Sequence, residues 1–242
     1  IFQNHMLQLI ALTAMEPPID FSAESVRNEK VKVLRAMHTP GPKHVVRGQY
    51  GRGYIEGVEV PGYREELCFE PASTTETFVA ARLFVDNWRW ADTPFFVRTG
   101  KRLPRRETTI AIQFKRAPHP PFEDISGLRP NVLFVHIQPN EGVSLAIGAK
   151  VPGEGMQVRT VHMDFLYGGA FRSGLPDAYE RLILDTMLGD STLFTRADEI
   201  EEQWALVDAI AAAWKRERPS FPNYAAGTWG PDAAQELVEW HR

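Results

Sequence analysis

The 242 residues carry 27 Lys and Arg against 31 Asp and Glu, a formal net charge of −4, with 43% hydrophobic side chains. This is the composition of a globular protein that can bury a substantial core. The slight negative charge gives no general attraction to nucleic acid or to an anionic membrane, so any phosphate site must be local. The longest apolar run is too short to span a bilayer. The single cysteine, Cys68, excludes an internal disulfide framework and a cysteine-based zinc site, and it fits a reducing compartment.

Two helices are expected before any strand. Apolar residues between positions 2 and 14 mostly recur at helical spacing, and the prolines at 17 and 18 cannot continue the pattern. Ser22 is the expected N-cap of a second helix, which ends before the turn at 39–42. The expected inner face of this second helix consists of Val26, Lys30, Val33, Leu34 and Met37.

From about residue 45 to residue 165, short β-branched and aromatic runs alternate with turn residues. Strands are predicted at 109–114 and 161–165, and a hairpin is predicted from 133–137 and 143–147. The more uniformly apolar run at 77–85 is expected to be central in its sheet. One-sided alternation joined by short turns favours an antiparallel sheet with one face covered and the other solvated or used for association.

The pattern returns to helix after Gly168. One helix is expected from near Pro176 to Gly189, and a longer one begins at a capping box formed by residues 195–198. A short last helix is expected near Pro231. The expected inner face of the longer helix consists of Ile200, Trp204, Val207, Ala211 and Trp214.

The order of helices, a long strand series and further helices predicts the α+β class, with a large, mainly antiparallel sheet and helices packed on one face. No linker or repeat interrupts the chain, so residues 1–242 are expected to form one domain.

Three features carry possible chemistry. His5 lies on the first helix, where a lone histidine is more often a packing residue, although imidazole is well suited to moving protons near neutral pH. The loop at 100–106 holds four cations, which can converge on a phosphate or can simply be solvated. Gln138, at a strand end, can bond a sugar hydroxyl or satisfy the following turn.

The sequence offers no cofactor or metal site by itself. No glycine-rich dinucleotide or Walker-type loop follows a strand, so the chain alone is expected to bind nicotinamide nucleotide poorly. His162 and Asp164 share one face of an expected strand at a spacing that can hold a metal. No third ligand accompanies them, so cross-strand pairing is the preferred interpretation.

Six groups of residues, in order along the chain, match a known set of signatures. They are Q-N-H with A-M-E-P at 3–5 and 14–17, R-N-E-K-V-K-V-L at 27–34, G-Q-Y at 48–50, P-F-F-V-R-T-G-K at 94–101, Q-P-N-E at 138–141 and L-P-D-A-Y-E-R-L-I at 175–183. Together they resemble the glucose 6-phosphate dehydrogenase family. Six matches in the correct order over nearly the whole chain leave little room for accident.

The resemblance implies oxidation of glucose 6-phosphate to 6-phosphogluconolactone, the first step of the pentose phosphate pathway, with NADP or, in some members, NAD. It also implies that His5 is the general base, that Lys101 and Arg106 bind the substrate and, more weakly, that Gln138 lies near it. A cytoplasmic homodimer that associates through the exposed side of the sheet is expected, with neither nucleic acid nor membrane as a partner.

The family also has a dinucleotide-binding domain with a G-x-x-G-D-L loop and an R-I-D-H-Y-L-G-K segment, and neither is in this sequence. The chain is therefore expected to be the C-terminal substrate-binding and dimerisation domain of a longer enzyme, cut at Ile1 within a helix and inactive by itself. The alternative is a naturally short, non-catalytic sugar-phosphate-binding or assembly protein with the same fold. A purely structural partner is disfavoured because His5, Lys101 and Arg106 are all present.

Overall fold

The computed structural model describes residues 1–67, 70–116, 129–153, 155, 157–170, 178–216 and 219–239. The chain divides into two compact units, one formed by Ile1–Arg105 with Arg181–Arg242 and the other by Arg106–Glu180. Helices and antiparallel sheets together confirm the predicted α+β class. The assignment of the whole chain to one domain stays a prediction.

The helices lie at both ends of the chain, as predicted. A π-helical turn, Phe2–Met6, leads directly into the first α-helix, and short 3₁₀ turns occupy Pro42–His44 and Tyr63–Glu65. The predicted start near Pro176 lies outside the described residues. The α-helices are Leu7–Ala14 (α1), Ala23–Arg35 (α2), Tyr167–Ala170 (α3), Ala178–Leu188 (α4), Ala197–Trp214 (α5) and Asp232–Glu239 (α6).

The strands occupy the predicted middle of the chain, with one short addition near its end. They are Val45–Gly48 (β1), Tyr50–Gly51 (β2), Gly53–Ile55 (β3), Val58–Val60 (β4), Phe78–Leu83 (β5), Phe95–Gly100 (β6), Thr108–Gln113 (β7), Val132–Gln138 (β8), Gly142–Lys150 (β9), Val158–Leu166 (β10) and Tyr224–Ala225 (β11).

The first unit is built on an antiparallel sheet of order β1-β5-β6. Strand β5 is central and almost wholly buried, as its continuous apolar pattern predicted. Helix α2 contacts both α1 and α5, and the apolar sides of these helices share one core with the sheet. The core residues include Leu7, Ile10, Val33, Leu34, Leu83, Val85, Leu206 and Ile210.

Helix α2 begins where its cap predicted. The backbone N–H of Ser25 donates to the hydroxyl of Ser22 at 3.3 Å, which satisfies one of the open donors at the helix start. Four residues of its predicted inner face are buried on the helix, including Lys30 at 4% exposure, whereas Met37 is buried just beyond the helix end.

The second unit contains an antiparallel sheet of order β10-β9-β8-β7. The predicted hairpin is confirmed: β8 and β9 pair antiparallel across the turn between Gln138 and Gly142. The cross-strand registers place one set of apolar residues on a single face across all four strands. This set is Ile110, Ile112, Leu133, Val135, Val143, Leu145, Ile147, Val161, Met163 and Phe165.

The predicted inner face of α5 is wrong over its first half. Ile200 and Trp204 are 37% and 46% exposed, whereas Val207, Ala211 and Trp214 are half-buried. The face that is buried is displaced by one residue, and half of it is polar. Its members are Glu199, Gln203, Leu206 and Ile210.

The helix start is displaced as well. The N-cap is Arg196 rather than Thr195, and the carboxylate that bonds back to its backbone N–H belongs to Glu199 at 3.5 Å, not to Asp198. The apolar pattern could not find this arrangement because Glu199 is held inside by charge rather than by hydrophobicity. Its carboxylate lies 2.8 Å from the ammonium of Lys30, and both side chains are buried.

Replacing Glu199 with Ala is expected to lower the free energy of unfolding by about 3–5 kcal/mol, because Lys30 is left as an uncompensated buried charge. Urea denaturation of the chain measures this. The control is Glu202→Ala, which removes an exposed partner of Arg35 and is expected to cost about 1 kcal/mol or less. Equal losses in the two variants would contradict the importance given to the buried pair.

Candidate substrate site

His5 lies in the π-helical turn Phe2–Met6 rather than in the regular α-helix that the sequence predicted. The N–H of Met6 bonds the carbonyl of Ile1 at 3.3 Å, five residues back, which is the wider spacing of a π turn. Such turns occur frequently at functional sites. The His5 side chain is exposed, and among the described residues it makes no hydrogen bond or ion pair.

Two glutamines on either side of His5 fix this turn to helix α5. Gln3 donates to the side-chain carbonyl of Gln203 at 2.8 Å, and Gln8 donates to the carboxylate of Glu199. Gln3 and Gln8 are five residues apart, so a π turn between them brings their side chains to one side. The buried face of α5 therefore holds the segment that carries His5.

Strand β6 connects the same region to the cationic loop. It contacts the π turn of His5, and its last residue, Gly100, is followed directly by Lys101. A Cβ on Gly100 would lie 2.7 Å from the ring of Phe78, so the strand end can approach this ring only without a side chain. The backbone N–H of Lys101 then donates to the carbonyl of Thr77 at 2.8 Å.

The four cations of this loop have different environments. Arg102 donates to the carboxylate of Glu66 at 2.8 Å, and the guanidinium of Arg105 lies 5.7 Å from the centre of the Trp229 ring. Lys101 and Arg106 are exposed, and neither side chain has a hydrogen-bond or ion-pair partner in the part of the chain that the structure describes. The positive charge alone does not distinguish Lys101 and Arg106 from Arg102 and Arg105.

The remaining candidates lie in the second unit. Arg106 is the first residue of that unit, and Gln138 is the last residue of β8. Gln138 stands opposite Thr108 in the β7–β8 register and is exposed. The structure thus assigns His5 and Lys101 to one unit, and Arg106 and Gln138 to the other.

The alternative metal interpretation of His162 and Asp164 gains no third ligand. Both lie on β10, where they stand opposite Ala146 and Ser144. In the described ranges, no three His, Cys, Asp or Glu side chains are grouped closely enough to hold a metal ion. No helix in those ranges is long and apolar enough to cross a membrane.

A carboxylate that the sequence did not indicate supports the cationic loop. Glu66 accepts from Arg102 and, at 2.8 Å, from the hydroxyl of Tyr50. The Arg102 hydrogen bond is the main cause that holds the pKa of Glu66 below its usual 4.5, and the Tyr50 bond acts in the same direction against partial burial. Burial, followed by the bond to Glu66, raises the pKa of Tyr50 to about 12, so this hydroxyl stays a donor.

A family model described as "Glucose-6-phosphate dehydrogenase, C-terminal domain" matches residues 1–242. The chain is 45% identical to the glucose-6-phosphate 1-dehydrogenase of Chlamydia muridarum over 240 residues, which are 98% of this chain and 47% of that protein. It is 44% identical to the protein of the same name from Treponema pallidum over 255 residues, covering 100% of this chain and 49% of that protein. The chain spans about half the length of the curated relatives it matches.

Solved structures agree with the sequence relatives. One described as "Glucose-6-phosphate dehydrogenase in complex with its substrate glucose-6-phosphate" superposes with a TM-score of 0.88 at 34% identity, covering 100% of this chain and 49% of that one. The glucose-6-phosphate 1-dehydrogenase of Mycobacterium avium gives a TM-score of 0.84 at 37% identity, with the same coverage.

The stabilisation from Glu66 is expected to depend on pH. Because its pKa is lowered in the folded state, the contribution is complete above the unfolded value of 4.5 and is lost as the pH falls through the folded-state pKa. The wild type should therefore be more stable than Glu66→Gln near neutral pH, and the difference should shrink below pH 4.5. Urea denaturation over this pH range measures it, with Glu16→Gln, which removes the exposed partner of Arg89, as the control. A difference that does not change with pH would refute the role of this carboxylate.

Proposed function

The chain belongs to the glucose-6-phosphate dehydrogenase C-terminal domain family, and we propose that it is the substrate-binding and dimerisation part of a cytoplasmic enzyme that oxidises glucose 6-phosphate to 6-phosphogluconolactone with NADP. The main structural support is the contact between β6 and the π turn: His5 lies in that turn and Lys101 directly follows β6, and neither side chain has a hydrogen-bond or ion-pair partner among the described residues. One group can move a proton and the other can neutralise a phosphate.

The role proposed for His5 is that of the general base. The imidazole would take the proton of the substrate's C1 hydroxyl while the hydride of that carbon leaves to the nicotinamide nucleotide of the full-length protein. A base must be within hydrogen-bond reach of the proton it removes, so its backbone must be placed accurately. The bonds from Gln3 and Gln8 to α5 supply that placement on both sides of His5.

Lys101 and Arg106 are the proposed ligands of the phosphate. An ammonium acts as a point charge with three donors, while a guanidinium offers a planar fork that suits phosphate oxygens. Gln138, at the end of β8, is the proposed ligand of a sugar hydroxyl. Its amide can both donate and accept, as a hydroxyl requires.

The described residues do not fit the nicotinamide nucleotide. None of the described strands leads through a glycine-rich turn into the start of a helix, the arrangement that usually holds a dinucleotide pyrophosphate. The contribution proposed for this chain is therefore to bind the sugar phosphate and to take the proton. NADP, or NAD in its place, is proposed for the full-length protein and not for this chain by itself.

His5→Ala in the full-length protein is expected to lower kcat by about 10²- to 10⁴-fold, the usual contribution of a general base. The reduction of NADP with saturating glucose 6-phosphate measures it. His38→Ala is the matched control, because His38 is an exposed histidine of the same unit that lies 3.0 Å from Asp86. In the same assay, the 242-residue chain alone is expected to reduce no NADP.

An unchanged kcat in the His5 variant would contradict the proposed role of His5 as the general base. If the full-length wild type instead bound glucose 6-phosphate but reduced no NADP, the non-catalytic sugar-phosphate-binding alternative would be the better one. Activity of the 242-residue chain alone would contradict its proposed dependence on a second part.

The four-stranded sheet is the proposed dimer surface. Its apolar face, defined above, is not covered along β10, where Val161, Met163 and Phe165 are 40%, 60% and 45% exposed. The rest of the set is half-buried on the neighbouring strands, and a contiguous apolar surface of this kind is typical of an association site. A second copy of the chain can cover them through an isologous contact.

Light scattering of the chain at micromolar concentration is expected to give twice 27.4 kDa. Met163→Glu should give the monomer mass, because it puts a charge on the apolar face of the sheet. His162→Glu, on the other face of the same strand, is the control and should stay dimeric. A monomeric wild type would refute the proposed interface.

A further inference from the structure

We infer that Tyr224 is a positioning residue for Lys101, so that a hydroxyl from the C-terminal part of the chain sets the place of the substrate's phosphate ligand. The inference deepens the proposed function and rests on it. Tyr224 lies on β11, more than a hundred residues beyond Lys101, and nothing in the sequence motifs pointed to it.

The contact that carries the inference is a hydrogen bond to the Lys101 backbone. The hydroxyl of Tyr224 donates to the carbonyl of Lys101 at 2.9 Å. Since the Lys101 N–H is already bound to Thr77 at 2.8 Å, both polar groups of this one residue's backbone are held. The side chain, by contrast, is exposed and has no hydrogen-bond or ion-pair partner among the described residues. A fixed backbone and an exposed ammonium are what we expect of a residue that binds an anion.

The Tyr224 hydroxyl is the last donor in a row of three hydrogen bonds that ends at the carbonyl of Lys101. The backbone N–H of Tyr50 donates to the hydroxyl of Thr77 at 3.1 Å, which lies 3.0 Å from the hydroxyl of Tyr224. Each hydroxyl has one hydrogen, and that of Tyr224 reaches the carbonyl of Lys101 at 2.9 Å and the carbonyl of Thr77 at 3.4 Å. When it takes the shorter bond, the Thr77 hydroxyl is the donor to Tyr224. Successive bonds of this kind polarise and strengthen one another.

The environment keeps the hydroxyl in place and protonated. Tyr224 is 6% exposed, and its ring packs at 5.5 Å from Phe78 and 6.3 Å from Tyr50, measured between centroids. Burial is the main cause that raises the pKa of Tyr224 to about 12, so the group is a donor throughout the physiological range.

The segment around Tyr224 is bonded to the strand region on both sides. Asn223 exchanges hydrogen bonds with the Gln49 backbone, accepting at 2.9 Å and donating at 3.0 Å. Beyond β11, the N–H of Gly227 donates to the carbonyl of Arg102 at 2.8 Å. Gly227 has φ +83°, and a Cβ there would lie 1.8 Å from a backbone oxygen, so only glycine permits this approach.

The test is a double-mutant cycle in the full-length protein, with the affinity for glucose 6-phosphate measured by calorimetry and kcat measured at saturation. Tyr224→Phe keeps the ring and removes the hydroxyl. It is expected to weaken binding of glucose 6-phosphate by about 3- to 10-fold, the value of one net hydrogen bond, and to change kcat by less than about twofold. In a Lys101→Ala background, the same change should have an effect of less than about twofold.

Tyr50→Phe is the matched control. It removes a hydroxyl of similar burial that bonds Glu66 instead of Lys101, while Arg102 keeps Glu66 as its partner. Its loss of thermal stability should resemble that of Tyr224→Phe, but its affinity for glucose 6-phosphate should fall less, because Arg102 still holds Glu66 beside the loop.

Three results would overturn the inference. The first is normal affinity in Tyr224→Phe. The second is an equal loss of affinity with and without the Lys101 side chain, which would show a general structural role. The third is normal affinity in Lys101→Ala itself, which would remove the proposed phosphate ligand as well. Only the third result also contradicts the proposed function, so the two failures can be told apart.

Discussion

The buried ion pair between Lys30 and Glu199 fixes how the helices of the first unit fit together. Close packing already restricts how apolar helix surfaces meet, and two buried charges add a stricter condition because they are tolerated only when they remain in contact. The pair joins α2 to α5 at 2.8 Å, and Gln8 brings α1 to the same carboxylate. Helices α1, α2 and α5 therefore meet at the carboxylate of Glu199. The turn that carries His5 leads directly into α1, so it is held at the same place.

The parts of the fold that the sequence could predict are those whose local and global signals agree. Helix α2 has a serine cap at its start and a consistent inner face, and both occur as expected. The hairpin of β8 and β9 has alternating strands and a strong turn. Helix α5 was predicted as a helix, but its inner face was not, because Gln203 and Glu199 bond residues 200 and 191 positions away. Partners so distant in sequence leave no local pattern.

The candidate site shows the same contrast between what local sequence signals predict and what depends on partners distant in the chain. His5, Lys101, Arg106 and Gln138 were selected by resemblance, and their proposed roles stay predictions. Charge and position alone do not distinguish Lys101 from Arg102, because both are cations on one loop. The distinction comes from Glu66, which engages Arg102 and lies 36 residues earlier in the chain. The π turn leaves no signal in the α-helical periodicity for a different reason: its hydrogen bond spans five residues instead of four.

The pairing of β2 with β11 has a consequence for the order of assembly. These strands pair in parallel, and the bonds that attach them join residues 174 positions apart. A ribosome must therefore complete most of the chain before the loop of Lys101 can take its final form. Contacts of such long range close slowly compared with those within one helix or hairpin. The nascent protein can thus form α1, α2 and the β8–β9 hairpin while the loop of Lys101 is still immature, so the proposed phosphate ligand takes its final place late in synthesis.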